Sequence, residues 1–294
     1  MWVKGDEVIT SLEQKKKLIE LLKGKNPSYT EILGFYEKVI EAQDAEKAAV
    51  SVATLHLHNN LKSLQTSEGF PLIDRKDFIL DIPSGVLLFE SLCRISRNAN
   101  EKMRENIQAI EEASAINALN LRELLRRHSD ESYLNNIAEE FTIDRAILLF
   151  LVNASIQPSL NENAEQLKDQ VDLKNWLKGY CPVCGSSPQI SELKDEGRRF
   201  FLCSFCRFQW PSERLKCPYC ENADHEKLQY LYEEGQEAYR VDVCDNCKQY
   251  IKTVDARKLD YEPDLPLEDI MTIHLDILAS EKGYKRPVPN LWGF

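Results

Sequence analysis

Four Cys-x-x-Cys pairs lie between positions 181 and 247, and they constrain the fold more than any other feature of this chain. A Cys-x-x-Cys turn lets two thiolates reach one ion at about 2.3 Å, and two such turns complete a tetrahedron. Disulfides are the alternative, but in a reducing compartment this spacing favours metal. The sequence therefore predicts two closed metal sites, whose ligands are Cys181, Cys184, Cys203, Cys206, Cys217, Cys220, Cys244 and Cys247.

The rest of the sequence indicates a soluble, cytoplasmic protein. Its first residues lack the basic-then-apolar layout of a signal peptide. The longest unbroken apolar run, 146–152, is far shorter than the ~20 residues that cross a bilayer, so we expect no membrane insertion. Hydrophobic residues make up 43% of the 294 positions, and this length suggests two domains. The net charge of −11 argues against nucleic-acid binding by bulk charge.

The first part of the chain, 1–174, is typical of a helical domain. Apolar residues recur with helical spacing in the segments 32–40, 45–64, 85–95, 101–127, 130–140 and 143–155. Residues 69–83 contain Gly and Pro and predict a connection, after which Ser84 is expected to cap a helix. Pro158 is expected to break the last helix of this domain.

The cysteine segment predicts a small β-hairpin domain over 175–262, built twice from the same plan. Strand, glycine-containing turn and strand follow one another in 189–202 and again in 227–243. The repeat favours two tandem rubredoxin-like or zinc-ribbon modules in which successive cysteine pairs share a site, because each hairpin then closes its own site. A cross-brace, in which the first pair joins the third, is the alternative.

The last part, 263–294, is expected to hold one helix over 267–282 that Gly283 ends, followed by a docking tail. The tail is expected to pack through its apolar side chains, namely Leu291, Trp292 and Phe294. The predicted fold class is a mainly α N-terminal domain, a small metal-binding β-hairpin domain and a C-terminal helix.

Other reactive residues do not form a catalytic constellation in the sequence, and we expect no enzyme. Cys93 stands alone in an apolar helix and is interpreted as a buried small hydrophobe. His56 and His58 would point away from each other on a helix and make a poor metal pair. His225, in the loop after Cys220, is an alternative ligand, but four thiolates already complete the shell. His274 is expected along the last helix. No nucleophile elbow, phosphate loop or His-Glu metal helix occurs.

A basic stretch with interleaved aromatic residues occupies 198–216. Its five basic residues face a single acid, Glu213, and are Arg198, Arg199, Arg207, Arg214 and Lys216. Such a stretch is a candidate protein interface, since Arg and aromatic side chains are enriched at interface centres. Nucleic-acid binding by stacking and phosphate contact is an alternative. A third interpretation is that the aromatics fill the cores of the ribbons.

Several blocks of this segment together resemble the FdhE family of formate dehydrogenase accessory proteins. The blocks are Trp176 with Tyr180-Cys181-Pro182-Val183-Cys184-Gly185, Leu202-Cys203-Ser204-Phe205-Cys206 through Trp210 and Arg214 to Cys217-Pro218-Tyr219-Cys220, Arg240 to Cys244-Asp245-Asn246-Cys247, and Ala279-Ser280-Glu281-Lys282-Gly283-Tyr284. The resemblance covers 176–284. We call each Cys-x-x-Cys turn a knuckle. Only the first knuckle has glycine, Gly185, directly after its second cysteine.

This resemblance implies a cytoplasmic, chaperone-like maturation factor for formate dehydrogenases that contain molybdenum or tungsten. It implies binding to the formate dehydrogenase catalytic subunit before export or assembly. It also implies rubredoxin-like sites in which the eight paired cysteines hold iron, with possible redox activity. Four thiolates accept zinc as readily as iron, and closed all-thiolate sites are usually structural. A nucleic-acid-binding double zinc ribbon and an iron–thiolate redox protein therefore stay open as alternatives.

Overall fold

A computed structural model describes residues 11–47, 49–55 and 68–289 of the chain. A helical region comes first, then a β-sheet region, and then a short helical segment, as the sequence predicts. The helices are α1 Leu12–Lys25, α2 Thr30–Lys47, α3 Ile82–Ser96, α4 Glu101–Ala115, α5 Leu121–Arg126, α6 Glu131–Glu140, α7 Arg145–Leu167, α8 Leu265–Met271 and α9 Ile273–Glu281. None of the described helices is long and apolar enough to cross a membrane.

One predicted helix start and one predicted helix end differ from the structure. α3 begins at Ile82, and its cap is Asp81, which accepts a hydrogen bond from the Ser84 amide; the prediction that Ser84 is the cap is wrong. The predicted helix 45–64 ends with α2 at Lys47, and 49–55 is not helical. The remainder of that prediction lies outside the described residues.

The predicted helix 101–127 is two helices, because the chain turns after α4. Asn117 has a φ of 58°, in the left-handed region that Asn tolerates better than most residues. Asn120 then caps α5 by accepting a hydrogen bond from the Glu123 amide. Five residues, 116–120, separate the two helices.

Pro158 does not break α7, contrary to the prediction. A proline at this position removes the hydrogen bond that would reach the carbonyl of Ala154, four residues earlier. That carbonyl instead accepts a hydrogen bond of 2.8 Å from Nε2 of Gln43 on α2. The helix therefore continues through the proline to Leu167, because a neighbouring helix supplies the missing donor.

The described strands form one six-stranded sheet in the order β3-β2-β1-β6-β5-β4. They are β1 Pro188–Lys194, β2 Arg198–Cys203, β3 Gln209–Ser212, β4 Leu228–Leu231, β5 Tyr239–Cys244 and β6 Gln249–Asp255. Strands β1 to β3 form the first module and β4 to β6 form the second, and within each module the strands are antiparallel. The first strand of the first module pairs in parallel with the last strand of the second, β1 with β6. The predicted hairpins are confirmed, whereas β3, β6 and the joined sheet were not predicted.

The helical segment after the sheet covers one of its faces. The predicted single helix is two short helices, α8 and α9, which meet at Thr272. Leu275 and Ala279 of α9 pack against β5 and β6, while Ile277 of the same helix is 46% exposed. Gly283 follows the helix with a φ of 83°, as predicted for its end. The predicted docking side chains at 291–294 lie outside the described residues.

One hydrophobic core runs from the helices into the first module. It joins Leu92 of α3 and Leu151 of α7 to Cys203, Phe205 and Trp210. A second core packs α1 and α2 against α8. The helical region and the first module therefore share a core, and the proposed boundaries at 174 and 262 stay predictions.

Candidate metal centres

The eight paired cysteines come together as two groups of four. One group is Cys181, Cys184, Cys203 and Cys206, and the other is Cys217, Cys220, Cys244 and Cys247; within each group all four sulfurs lie within 4.8 Å of one another. Successive pairs thus share a site, as predicted, and the cross-brace alternative is wrong. We call these groups the first and the second centre.

Each centre is built from two knuckles with the same backbone geometry. In the first knuckle the amide of Gly185 donates to the carbonyl of Cys181 over 2.9 Å, which tightens the turn around the two thiols. The residue that follows the second cysteine has a positive φ in all four knuckles: Gly185 74°, Arg207 61°, Glu221 58° and Lys248 56°. Only the first of these is glycine, so three knuckles hold a strained non-glycine residue there, at about 1 to 2 kcal/mol each.

The sulfur–sulfur distances fit a tetrahedral thiolate site. Bonds of about 2.3 Å from a central ion place ligand sulfurs about 3.8 Å apart. The distances are 3.7 Å between Cys181 and Cys206 and 3.4 Å between Cys184 and Cys203 in the first centre. They are 3.7 Å for Cys217–Cys247 and for Cys220–Cys244 in the second. A disulfide has about 2.05 Å between its sulfurs, so these sulfurs are not bonded to one another.

The two centres differ in burial. All four cysteines of the first centre are buried, and the amides of Phe205 and Cys206 each donate to the Cys203 sulfur over 3.4 Å. In the second centre Cys220 and Cys247 are half-buried. There the Asn246 side chain donates to the Cys220 sulfur over 3.5 Å. The first centre is thus part of the core, whereas the second faces solvent at one edge.

Burial opposes ionisation of these thiols, and hydrogen bonds from neighbouring groups outweigh it in some of them. Burial raises the pKa of Cys181 and Cys206 in the first centre well above the usual range. Burial also opposes ionisation of Cys220, but hydrogen bonds led by the Asn222 amide and the Asn246 side chain outweigh it and lower the pKa of that thiol to about 7. Four thiolates held this close repel one another. A cation bound between them would offset this repulsion and stabilise all four in the ionised form.

Phe205 fixes the first centre on the helical region. Its ring packs edge-on against Phe78 with ring centres 5.3 Å apart, and it stacks on His128 at 5.7 Å. The guanidinium of Arg75 lies 4.6 Å from the same ring. Gln157 of α7 donates to the Phe205 carbonyl over 3.2 Å. The second knuckle therefore cannot move without disturbing the helices.

Gly179 brings the segment before the first centre against the second. A Cβ added at this glycine would lie 1.9 Å from the carbonyl oxygen of Pro218, inside the third knuckle. Lys216 Nζ, one residue before that knuckle, also lies 3.4 Å from the Leu177 carbonyl. The two backbones approach so closely here that only glycine fits.

Among the described residues, neither the remaining cysteine nor any histidine belongs to either centre. Cys93 is buried on α3, as expected, and burial raises its pKa to about 12. His225 lies in an exposed turn away from the sulfurs of the second centre. His274 lies at the start of α9, with its Nδ1 3.4 Å from the Tyr29 hydroxyl. His56 and His58 lie outside the described residues.

The basic, aromatic stretch 198–216 is not one exposed edge. Arg199 is only 3% exposed and donates to Asp242 over 2.9 Å, and Arg207 bonds to Gln189. Four of its five aromatic side chains are buried: Phe201, Phe205, Phe208 and Trp210. These four side chains lie in the core that the first module shares with the helices, so they are not a stacking surface for nucleic acid. The prediction that Arg199 belongs to an exposed protein interface is wrong, because its side chain is buried.

The sequence did not reveal a buried charge cluster that joins β6 to α8 and α9. Lys252, 1% exposed, lies 2.8 Å from Asp269 and 2.6 Å from Asp276, both buried. Arg286 reaches the same two carboxylates at 2.8 and 2.9 Å. Tyr250, three residues after Cys247, donates to Asp276 over 2.8 Å. The cluster fixes the strand that follows the second centre.

Comparison with known proteins agrees with this arrangement. Residues 180–214 match the family model described as "FdhE, central domain", and 215–292 match "FdhE, C-terminal domain". The chain is 28% identical over 281 residues to a "Protein FdhE homolog" of Aquifex aeolicus, covering 94% of this chain and 93% of the relative. It is 30% identical over 206 residues to the homolog of Haemophilus influenzae, covering 68% and 63%.

A solved structure shows the same fold. The crystal structure of the FdhE protein from Pseudomonas aeruginosa superposes with a TM-score of 0.66 at 22% identity, covering 95% of this chain and 94% of that one. Both regions of the chain, helical and β, are thus included in the match. In sequence the chain is thus similar to FdhE proteins over nearly its whole length, and it has the fold of the solved one.

Proposed function

We propose that this protein is a cytoplasmic, non-enzymatic accessory factor for the assembly of active formate dehydrogenase. In this role it binds the formate dehydrogenase catalytic subunit and holds one metal ion in each four-cysteine centre. The observation that carries the proposal is the pair of tetrahedral sulfur groups in a chain similar to FdhE proteins. The identity of the partner, formate dehydrogenase, comes from the resemblance in the cysteine blocks.

The donor sets support metal binding by all eight cysteines. In each centre the four sulfurs have the spacing of a tetrahedral site, and the knuckle amides point at them. Cys184 and Cys203 of the first centre face each other across the site, as do Cys220 and Cys244 of the second. Four thiolates fill the shell of zinc or iron, so a substrate would find no open ligand position. This supports a structural role for the ions and a binding role for the protein.

The assembly role is tested in a host whose own FdhE gene is deleted. We expect the wild-type chain to restore formate dehydrogenase activity and a tagged copy to retain the catalytic subunit. Cys203→Ser should fail in both, because it removes a ligand from the centre that shares its core with the helices. Cys93→Ser is the matched control, since that thiol is buried but outside the centres. Full activity without any copy of the protein would overturn the proposal.

A second candidate, an iron–thiolate redox protein, is favoured by one observation. Cys220 and Cys247 of the second centre are half-buried, so an electron-transfer partner could approach that ion. Anaerobic purification distinguishes the candidates. Iron in the second centre would give visible charge-transfer bands that change on reduction, whereas zinc would leave the protein colourless and redox-silent.

A further inference from the structure

A groove lies over the face of the second module that α8 and α9 leave open. Val241 and Val243 of β5 point to the helices, while Arg240 and Asp242 lie on the opposite side of the strand. The segment 214–219 forms the other wall, and the enclosed volume is about 140 Å³. That volume is close to the ~150 Å³ of a cavity that holds one benzene. The groove therefore admits a side chain rather than a large cofactor.

The groove is positively charged in a protein whose net charge is −11. Four of its lining residues are cations and one is an acid: Arg199, Arg214, Lys216, Arg240 and Asp242. The single carboxylate serves two of the cations, at 2.9 Å from Arg199 and 2.8 Å from Arg240. A divalent ion with four thiolates in the adjacent second centre adds about two negative charges, and the groove stays positive even then.

The rim of the groove is apolar, and one side of it is a free sheet edge. Leu215 is 67% exposed and Tyr230 is 59% exposed, on opposite walls. The Arg240 guanidinium lies 5.2 Å from the Tyr230 ring. Tyr230 belongs to β4, the terminal strand of the sheet, whose outer side pairs with no other described strand. Such an edge accepts an extended peptide through main-chain hydrogen bonds.

We propose that this groove binds an extended acidic segment of a partner polypeptide. Carboxylates of the segment bind Arg214, Lys216 and Arg240, its backbone lies along β4, and an apolar side chain packs between Leu215 and Tyr230. Charge complementarity selects the acidic peptide, and the Arg and Tyr content is that of protein interfaces. The inference rests on the proposed function for the identity of the partner, which is the formate dehydrogenase catalytic subunit.

Binding is measured with a fluorescein-labelled oligoglutamate by fluorescence anisotropy, using the full, metal-loaded chain. We expect saturable binding that Arg214→Glu with Lys216→Glu weakens by about tenfold or more, because two attractive charges become repulsive. Both side chains are at the surface of the groove, and metal content and circular dichroism are checked for each variant. The control Lys76→Glu with Arg122→Glu makes the same change in net charge at exposed sites outside the groove and should bind normally.

Three outcomes overturn the inference: no saturable binding of oligoglutamate, equal weakening in the control, or tighter binding of single-stranded DNA than of oligoglutamate. Capture of the catalytic subunit by the Arg214→Glu, Lys216→Glu chain at wild-type level would also overturn it, while leaving the assembly role intact. Loss of the assembly role would instead appear as host activity that does not depend on the protein, whatever the peptide result.

Discussion

Replacing Lys252 by Met should destabilise the protein strongly, because this buried cation pairs with two buried carboxylates. The ammonium of Lys252 lies 2.8 Å from Asp269 and 2.6 Å from Asp276, and it donates to the carbonyls of Asp269 and Thr272 over 2.7 and 3.3 Å. Met fills most of the same volume but removes the charge. Arg286 would then face two buried carboxylates alone.

The expected cost is about 3 to 5 kcal/mol in the free energy of unfolding, which is the usual penalty for leaving a buried charge without its partner. Lys248→Met is the matched control. Lys248 pairs with Asp245 at 2.5 Å, but its side chain is 61% exposed. Water screens such a pair, so its loss should change the stability little. The two variants differ in burial and not in chemistry.

Urea denaturation followed by circular dichroism measures both variants against the wild type. Burial disfavours the charged form of Asp269, but Lys252 and Arg286 outweigh it and hold the pKa of that carboxyl well below its usual range. Its stabilising contribution is therefore present above the usual carboxyl pKa and is lost as pH falls through and below that range. Lys252→Met should weaken this pH dependence. A cost no larger than that of Lys248→Met would refute the reasoning.

Three further predictions concern the centres and the fold. Cys203→Ser should lower the unfolding midpoint of the helices as well as that of the sheet, since the first centre shares their core. Cys247→Ser should leave the helical circular dichroism intact, because that thiol is half-buried in the second centre. Melting curves at 222 nm test this difference, and equal curves for the two variants would contradict it. Gly179→Ala should cost about 1 to 3 kcal/mol, because its Cβ would meet a backbone oxygen at 1.9 Å, while Gly34→Ala, which meets nothing within 4 Å on α2, should be neutral or stabilising. Burial raises the pKa of Glu268 to about 7. The free energy of unfolding should therefore fall by about 3 kcal/mol as pH rises from about 4 to 7. In urea titrations Glu268→Gln should flatten that slope, and an unchanged slope would show that another group titrates.

The sequence predicts the centres well because their determinants are local. The Cys-x-x-Cys spacing sets each knuckle, and the repeated hairpins determine which knuckles share a site, so Cys181 meets Cys203 and Cys206 rather than Cys217 and Cys220. Helix positions are also local, since apolar spacing marks them.

What the sequence did not predict depends on residues far apart in the chain. α7 passes through Pro158 because Gln43, more than a hundred positions earlier, bonds to the freed carbonyl. Asp276 resembles a solvated acid until the fold places Lys252 beside it. Likewise, β6 contains a lysine in its middle, and only the buried carboxylates make that residue compatible with a central strand.

Elemental analysis of anaerobically prepared protein tests most directly whether each four-cysteine group holds one ion. We expect two ions per chain for the wild type and for Cys93→Ser, since Cys93 belongs to neither centre. We expect one ion for Cys247→Ser, in which only the first centre keeps four thiolates. One ion or none in the wild-type chain would mean that at least one four-cysteine group does not hold an ion.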